Sequence, residues 1–148
     1  MPPITRIRPV IEHMSIGVGD ISRATAFYDA VLGTLGLTRV MEFDEPGGPS
    51  ACWGPANEIP APEGVPGAAP FWIEERKGSV IACPPGFHIC FLAPSTAAVH
   101  RFHEAGLGHG GTDNGGPGPR PHYGDGYYAA FLIDPDGWRI EAATYTGA

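Results

Sequence analysis

The sequence contains an internal repeat, and this feature constrains the fold more than any other. A shift of 75 residues places segment 13–36 on segment 88–111 without a gap. Six of the 24 aligned positions are identical, more than a chance match of this length gives, and the structural pattern described below repeats with them. The identical pairs are His13/His88, Phe27/Phe102, Ala30/Ala105, Leu32/Leu107, Gly33/Gly108 and Gly36/Gly111. Self-similarity of this kind indicates two copies of one supersecondary unit.

Each copy begins with a strand and continues with a helix. Side chains alternate in character from His13 to Val18, which is the period of a strand with two different faces. Apolar residues at helical spacing follow, with Asp20 or Ser22 able to cap the helix. This stripe consists of Ala24, Phe27, Tyr28, Val31, Leu32 and Leu35. The second copy repeats the pattern, with Ser95 as the cap before Val99, Phe102, Ala105 and Leu107.

Short extended runs follow each predicted helix. They lie at about Thr38–Phe43, Ala51–Trp53 and Phe71–Glu75, and then near Gly111, at Tyr127–Ile133 and at Trp138–Tyr145. The sequence Asp-Pro-Asp-Gly at 134–137 is typical of a tight turn, so the last two runs form a hairpin. Each half therefore has the order βαβββ. A half of about 70 residues cannot bury both its helix and its sheet face by itself, so we expect the two halves to pack together.

The fold class that follows is α+β, with paired βαβββ modules forming a curved mixed sheet around a central pocket. The 148 residues suit a single domain, in which the modules span about 1–78 and 79–148. Glycine and proline are concentrated in segments 44–70 and 106–126, with 12 such residues in each. We expect these segments to be long functional loops.

Charge and cysteine content narrow the classes of partner. Sixteen acidic residues oppose nine basic ones, and no basic run exceeds Arg76-Lys77, so we expect a small-molecule substrate and no nucleic acid. Cys52, Cys83 and Cys90 lack the spacing of a metal or redox motif and predict packed thiols in a reducing compartment. Residues 1–13 lack a signal peptide's apolar stretch, and no segment approaches a membrane span of about 18 apolar residues. These features predict a cytoplasmic location without a membrane partner.

Two histidines occupy equivalent positions of the repeat. His13 and His88 each open a strand, and each half also ends on a strand that carries a glutamate. Alignment of FWIEE (71–75) with WRIEA (138–142) places Glu74 on Glu141. Four such side chains can converge at a pseudo-twofold axis. Imidazole nitrogen and carboxylate oxygen together suit zinc, nickel, cobalt, manganese or ferrous iron.

Strand alternation distinguishes the two adjacent glutamates of the first half. Glu75 shares a face with Phe71 and Ile73, which is the side expected to pack on the helix. Glu74 shares the other face with Trp72. We therefore predict Glu74, and not Glu75, as the metal ligand.

The chain resembles the vicinal oxygen chelate superfamily, which includes glyoxalases, extradiol dioxygenases, fosfomycin-resistance enzymes and bleomycin-binding proteins. The resemblance rests on AFYDAVLGTLGL, GFHICFLAP and YYAAFLIDPDGWRIEA, and it covers nearly the whole chain outside 44–70. It implies paired βαβββ modules around a metal, with the most recurrent ligand positions at His13, His88 and Glu141. The fourth position, used by glyoxalases, falls on Glu74. The resemblance also implies a homodimer.

Two functions follow from this resemblance. The first is a metal-dependent enzyme that chelates neighbouring oxygens of a small substrate and stabilises an enolate or oxyanion. Lyase or isomerase chemistry is favoured over ring cleavage by a dioxygenase, with Glu74 or Glu141 as the base and Tyr123 or Tyr128 orienting the substrate. The segment after Glu74 lacks the asparagine of glutathione-dependent glyoxalases, which argues against a glutathione substrate. The alternative is a non-catalytic small-molecule binding protein of the bleomycin-resistance type.

Other polar and aromatic residues have both structural and functional interpretations. Residues flanking the second glycine-rich segment form either a polar rim or a set of hydrogen-bonding groups for a substrate; they are Arg120, His122, Tyr123, Tyr127 and Tyr128. His100, His103 and His109 are interpreted as a solvated helix face. Trp53 and Trp72 are expected in the core, with lining of a pocket as the other possibility.

Overall fold

The computed structural model describes residues 11–55 and 69–146. The helices and strands are β1 (Met14–Val18), α1 (Ile21–Gly33), β2 (Leu37–Glu45), β3 (Gly48–Pro55), β4 (Phe71–Glu75), β5 (Ile89–Leu92), α2 (Thr96–Gly108), β6 (Thr112–Pro119), β7 (Tyr127–Ile133) and β8 (Arg139–Tyr145). A short 3-10 helix at Pro121–Tyr123 precedes β7. The predicted pair of βαβββ modules is confirmed.

Each module forms a mixed sheet of its own. The strand orders are β1-β4-β3-β2 and β5-β8-β7-β6. The first strand of each module runs parallel to the last, and the other pairs are antiparallel. Among the described residues no strand of one sheet pairs with a strand of the other. The modules therefore share a core but not the single curved sheet that the sequence predicts.

The glycine- and proline-rich segments hold more regular structure than predicted. The first contains strand β3 and the turn that joins it to β2, and its residues 56–68 lie outside the described residues. The second contains β6, an edge strand whose pairing with β7 shifts after Asp113 and again after Gly115. An edge strand tolerates proline because one side of its backbone pairs with nothing. The prediction of long loops is therefore wrong where β3 and β6 lie.

The helices begin where the sequence predicts and pack their apolar stripes into one core, except that Leu107 of the predicted α2 stripe is exposed. Asp20, and not Ser22, caps α1 by accepting from the backbone N–H of Arg23, and Ser95 caps α2. Phe27 and Phe102, an identical pair of the repeat, are both fully buried. Other fully buried side chains of this shared core include Tyr28, Leu32, Trp53, Ile73, Val99, Leu132 and Ile140.

The core also fixes how the two modules sit together. It contains helix-facing residues of both sheets, and the rings of Phe71 on β4 and Phe91 on β5 meet edge to face at 5.2 Å. The other face of each sheet is therefore turned away from the shared core. We call these two surfaces the open faces. No helix in the described ranges is long and apolar enough to cross a membrane.

The turn at 134–137 joins the two modules through a buried carboxylate. The Tyr28 hydroxyl donates to Oδ2 of Asp134 at 2.5 Å, across 106 residues of sequence. Oδ1 of Asp134 accepts from the backbone N–H groups of Asp136 and Trp138, each at 2.9 Å. Burial and the Asp134 charge raise the pKa of Tyr28 well above its usual range, so the hydroxyl stays protonated and donates. The turn therefore connects the second module to the first helix.

Two further contacts of the same turn reach the end of β1. Oδ1 of Asp136 accepts from the backbone N–H of Gly19 at 2.9 Å, and the Trp138 indole donates to the Gly17 carbonyl oxygen at 2.8 Å. These bonds hold the junction between β1 and α1. The most distinctive motif of the sequence is thus a structural link between modules.

Candidate functional site

The open face of the second sheet collects the polar side chains around Glu141. Residues paired across neighbouring strands project on the same side of a sheet. Glu141 on β8 pairs with Cys90 on β5 and with Phe131 on β7. Tyr127 lies four residues before Phe131 on β7, so it projects on the same side. His88, two residues before Cys90, also lies on this face.

A cavity of about 310 Å³ opens on this face and is lined by His88, Tyr123, Tyr127 and Glu141. Glu141 is only 2% exposed, and both of its oxygens have partners. Nε2 of His88 is hydrogen-bonded to Oε1 at 3.0 Å, and the Tyr127 hydroxyl donates to Oε2 at 2.5 Å. The cavity thus combines an imidazole, a buried carboxylate and two phenols. We take it as the candidate site.

Two groups beside Glu141 are held in their protonated forms. Burial and the Glu141 charge raise the pKa of the Cys90 thiol to about 11, so it is a poor nucleophile at neutral pH. Burial and the hydrogen bond to Glu141 raise the pKa of Tyr127 far above its usual range. Tyr127 is therefore a hydrogen-bond donor at any ordinary pH.

His13 lies on the open face of the first sheet. Its Nδ1 is hydrogen-bonded to Oε1 of Glu12 at 2.9 Å, and its ring lies 6.1 Å from that of Trp72. Trp72 stacks on Phe43 with ring centroids 5.6 Å apart and donates to the Ala69 carbonyl oxygen. Trp72 is thus partly buried on the open face beside His13, so its predicted place in the core is wrong.

The strand register makes Trp72, and not Glu74, the counterpart of Glu141 in the first module. Cys90, two residues after His88, pairs with Glu141. Ser15, two residues after His13, pairs with Trp72. Glu74 lies two residues farther along β4, a displacement of roughly 6.6 Å, and pairs with Arg76 by a salt bridge. The sequence alignment that places Glu74 on Glu141 is therefore offset by two residues from the observed strand pairing.

The structure brings together two of the four predicted metal ligands, His88 and Glu141. His13 and Glu74 lie on the other open face, each with its own partner. Among the described residues, no three histidine, cysteine, aspartate or glutamate side chains form a group that could hold a metal ion. A metal site that includes these residues stays a prediction.

Of the two tyrosines predicted to orient a substrate, only Tyr123 lines the cavity. Tyr128 faces α2, where its hydroxyl is hydrogen-bonded to Nε2 of His100 at 2.6 Å. The neighbouring Tyr127 lies at the site instead. Strand alternation in the sequence could have identified Tyr127. Counting residues back from Glu141 across the hairpin puts Tyr127 on the same face as Glu141 and Tyr128 on the opposite face.

Two of the remaining polar candidates, His103 and Arg120, have structural partners. Nε2 of His103 is hydrogen-bonded to Asp113 at 2.8 Å and connects α2 with β6. Arg120 donates to the carbonyl oxygens of Gly116, Gly118 and Pro119, and lies over the Phe131 ring. Arg120 therefore holds the glycine-rich edge strand against the sheet.

A larger cavity of about 690 Å³ lies between α1 and the β2–β3 hairpin. Among the described residues that line it, Arg39 is the one cation, and it is already paired with Asp29 and Glu42. No histidine, cysteine or tyrosine of the described ranges lines it. The smaller cavity therefore carries the groups that can perform chemistry.

Comparison with known proteins shows the same fold. The sequence profile of the Glyoxalase/Bleomycin resistance protein/Dioxygenase superfamily matches residues 10–142. A glyoxalase/bleomycin resistance protein from Albidiferax ferrireducens superimposes with a TM-score of 0.72 at 29% identity, covering 92% of this chain and 99% of that one. Glyoxalase I from Zea mays gives 0.70 at 20% identity, covering 90% of this chain and 45% of that one. No curated protein matches significantly.

Proposed function

Because the chain belongs to the glyoxalase/bleomycin resistance protein/dioxygenase superfamily, we propose that it is a metal-dependent enzyme that acts on a small molecule with two neighbouring oxygens. The observation that carries this proposal is the His88–Glu141 pair at the wall of the candidate cavity. An imidazole beside a buried carboxylate is a combination that both metal binding and proton transfer use.

The donor atoms present fit a divalent ion. Nε2 of His88 and Oε1 of Glu141 lie 3.0 Å apart on a cavity of about 310 Å³. Nitrogen and oxygen donors of this kind suit zinc, nickel, cobalt, manganese or ferrous iron. His13 is the third ligand in this proposal. Glu74 is not retained as a fourth, because strand pairing puts Trp72 in that position.

We place the complete site between two copies of the chain. His13 and the His88–Glu141 pair lie on different open faces, both turned away from the shared core, so one chain supplies only part of a ligand set. The open face of the second sheet also leaves Leu92 76% exposed and Tyr145 65% exposed. A second copy on this face would cover them and would add His13 of the partner subunit.

Each residue at the cavity has a defined task in this proposal. A bound divalent ion supplies Lewis-acid stabilisation of the oxyanion that forms when a proton leaves the adjacent carbon. Glu141 accepts that proton, since Glu74 lies outside the cavity and is paired with Arg76. Tyr123, whose side chain lies at the rim, orients the substrate. The chemistry is then of the lyase or isomerase type.

Hydrogen exchange at carbon tests this proposal. We expect the metal-loaded protein to introduce deuterium at the activated carbon of small α-hydroxyketones or hemithioacetals in deuterated water, as measured by NMR. The His88→Ala variant should contain less metal and exchange no faster than buffer. Tight binding of a small aromatic molecule to the metal-free protein, with no exchange across a broad panel, would instead support a sequestering protein of the bleomycin-resistance type.

A further inference from the structure

Each of the two carboxylate oxygens of Glu141 has a hydrogen-bond partner. Its Oε2 accepts from the Tyr127 hydroxyl at 2.5 Å, and its Oε1 faces His88 at 3.0 Å. The side chain is almost completely buried, and it reaches the surface at the wall of the candidate cavity. Of the two oxygens, Oε1 faces His88, so it is the oxygen that would bind a metal together with that histidine.

Tyr127 is itself fixed from several directions. Gly126 precedes it with φ +75°, a conformation that favours glycine, and the Gly126 carbonyl oxygen accepts from the backbone N–H of Thr146 at 2.7 Å. The Tyr127 ring meets those of Tyr123 and Tyr145 at 5.5 and 5.3 Å. These contacts hold the Tyr127 ring in the position from which its hydroxyl donates to Glu141.

We infer that Tyr127 is a positioning residue that restricts Glu141 to binding a metal through Oε1 alone. This inference rests on the proposed metal site. By occupying Oε2, the phenol prevents the carboxylate from presenting both oxygens and keeps a coordination position open for the substrate. Outer-shell hydrogen bonds to a metal ligand orient it, and their loss typically weakens metal binding by about 10–100-fold.

Two adjacent tyrosines give a matched pair of variants. Tyr127→Phe removes the hydroxyl that contacts Glu141, and Tyr128→Phe removes a hydroxyl that contacts His100 on the other side of the sheet. Affinity for Co²⁺ is measured by competition with a chromogenic chelator. We expect Tyr127→Phe to bind Co²⁺ about 10–100-fold more weakly than the parent, and Tyr128→Phe to match the parent.

The visible spectrum of bound Co²⁺ separates positioning from a general loss of stability. With Oε2 released, Glu141 can bind through both oxygens, and a higher coordination number weakens the d–d absorption. We expect this loss of intensity in Tyr127→Phe and not in Tyr128→Phe. Parent-like affinity and spectrum in Tyr127→Phe would overturn the inference while leaving the metal site intact. Failure of the parent itself to bind Co²⁺ would overturn the proposed function, and this inference with it.

Discussion

Replacing Glu141 by glutamine is expected to weaken divalent-metal binding by more than about 100-fold, beyond the usual cost of losing an outer-shell partner. Glutamine keeps the size of the side chain and can still accept from the Tyr127 hydroxyl. It lacks the negative charge that a divalent ion requires of a carboxylate ligand. Equilibrium dialysis of Zn²⁺ or Co²⁺ measures the effect.

The matched control is Glu74→Gln, the same substitution at the other glutamate of the repeat. Glu74 contacts Arg76 at the protein surface, and Trp72 takes the place that Glu141 has in the second module. We therefore expect Glu74→Gln to bind metal as the parent does. An equal loss in both variants would restore Glu74 as a fourth ligand and contradict the register argument.

Replacing Asp134 by alanine is expected to destabilise the fold by about 3–5 kcal/mol, because three donors lose the carboxylate that accepts from them. The change leaves the buried hydroxyl of Tyr28 and the backbone N–H groups of Asp136 and Trp138 without their acceptor. Each buried donor that loses its partner costs about 1–3 kcal/mol. Urea denaturation of the metal-free protein measures the change.

Asp125→Ala provides the control, because this aspartate is exposed and lies only a few residues from the candidate cavity. A surface substitution of this kind should stay within about 0.5 kcal/mol of the parent. If Asp134→Ala and Asp125→Ala had the same stability, the buried turn would not be what joins the modules.

Much of this fold was accessible from the sequence because the repeat doubles each local signal. The helices begin at Ile21 and Thr96, which are 75 residues apart, as the alignment of the two copies requires. The sequence predicts an extended run near Gly111, but the full length of the glycine-rich strand β6 was not accessible in the same way. Its backbone pairs with β7 through shifts at Asp113 and Gly115, and side-chain composition does not report such pairing.

At the site, the two-residue period of a strand cannot reveal one kind of alignment error. Sliding β4 by two residues against β1 exchanges Trp72 for Glu74 and leaves every side chain on the same face, so alternation cannot detect the shift. A shift of one residue would have been visible. Tyr127 and Tyr128 differ by one residue and therefore lie on opposite faces, so counting residues across the hairpin from Glu141 distinguishes them.

The central claim, that two copies share each metal site, is tested most directly by mixing subunits. His13→Ala and Glu141→Ala chains are each expected to bind no metal tightly. Co-expressed in equal amounts, they should recover about a quarter of the parent's tight sites, because half of the dimers are mixed and each mixed dimer keeps one intact site. Failure to recover any tight site in dimers shown to be mixed would contradict the claim.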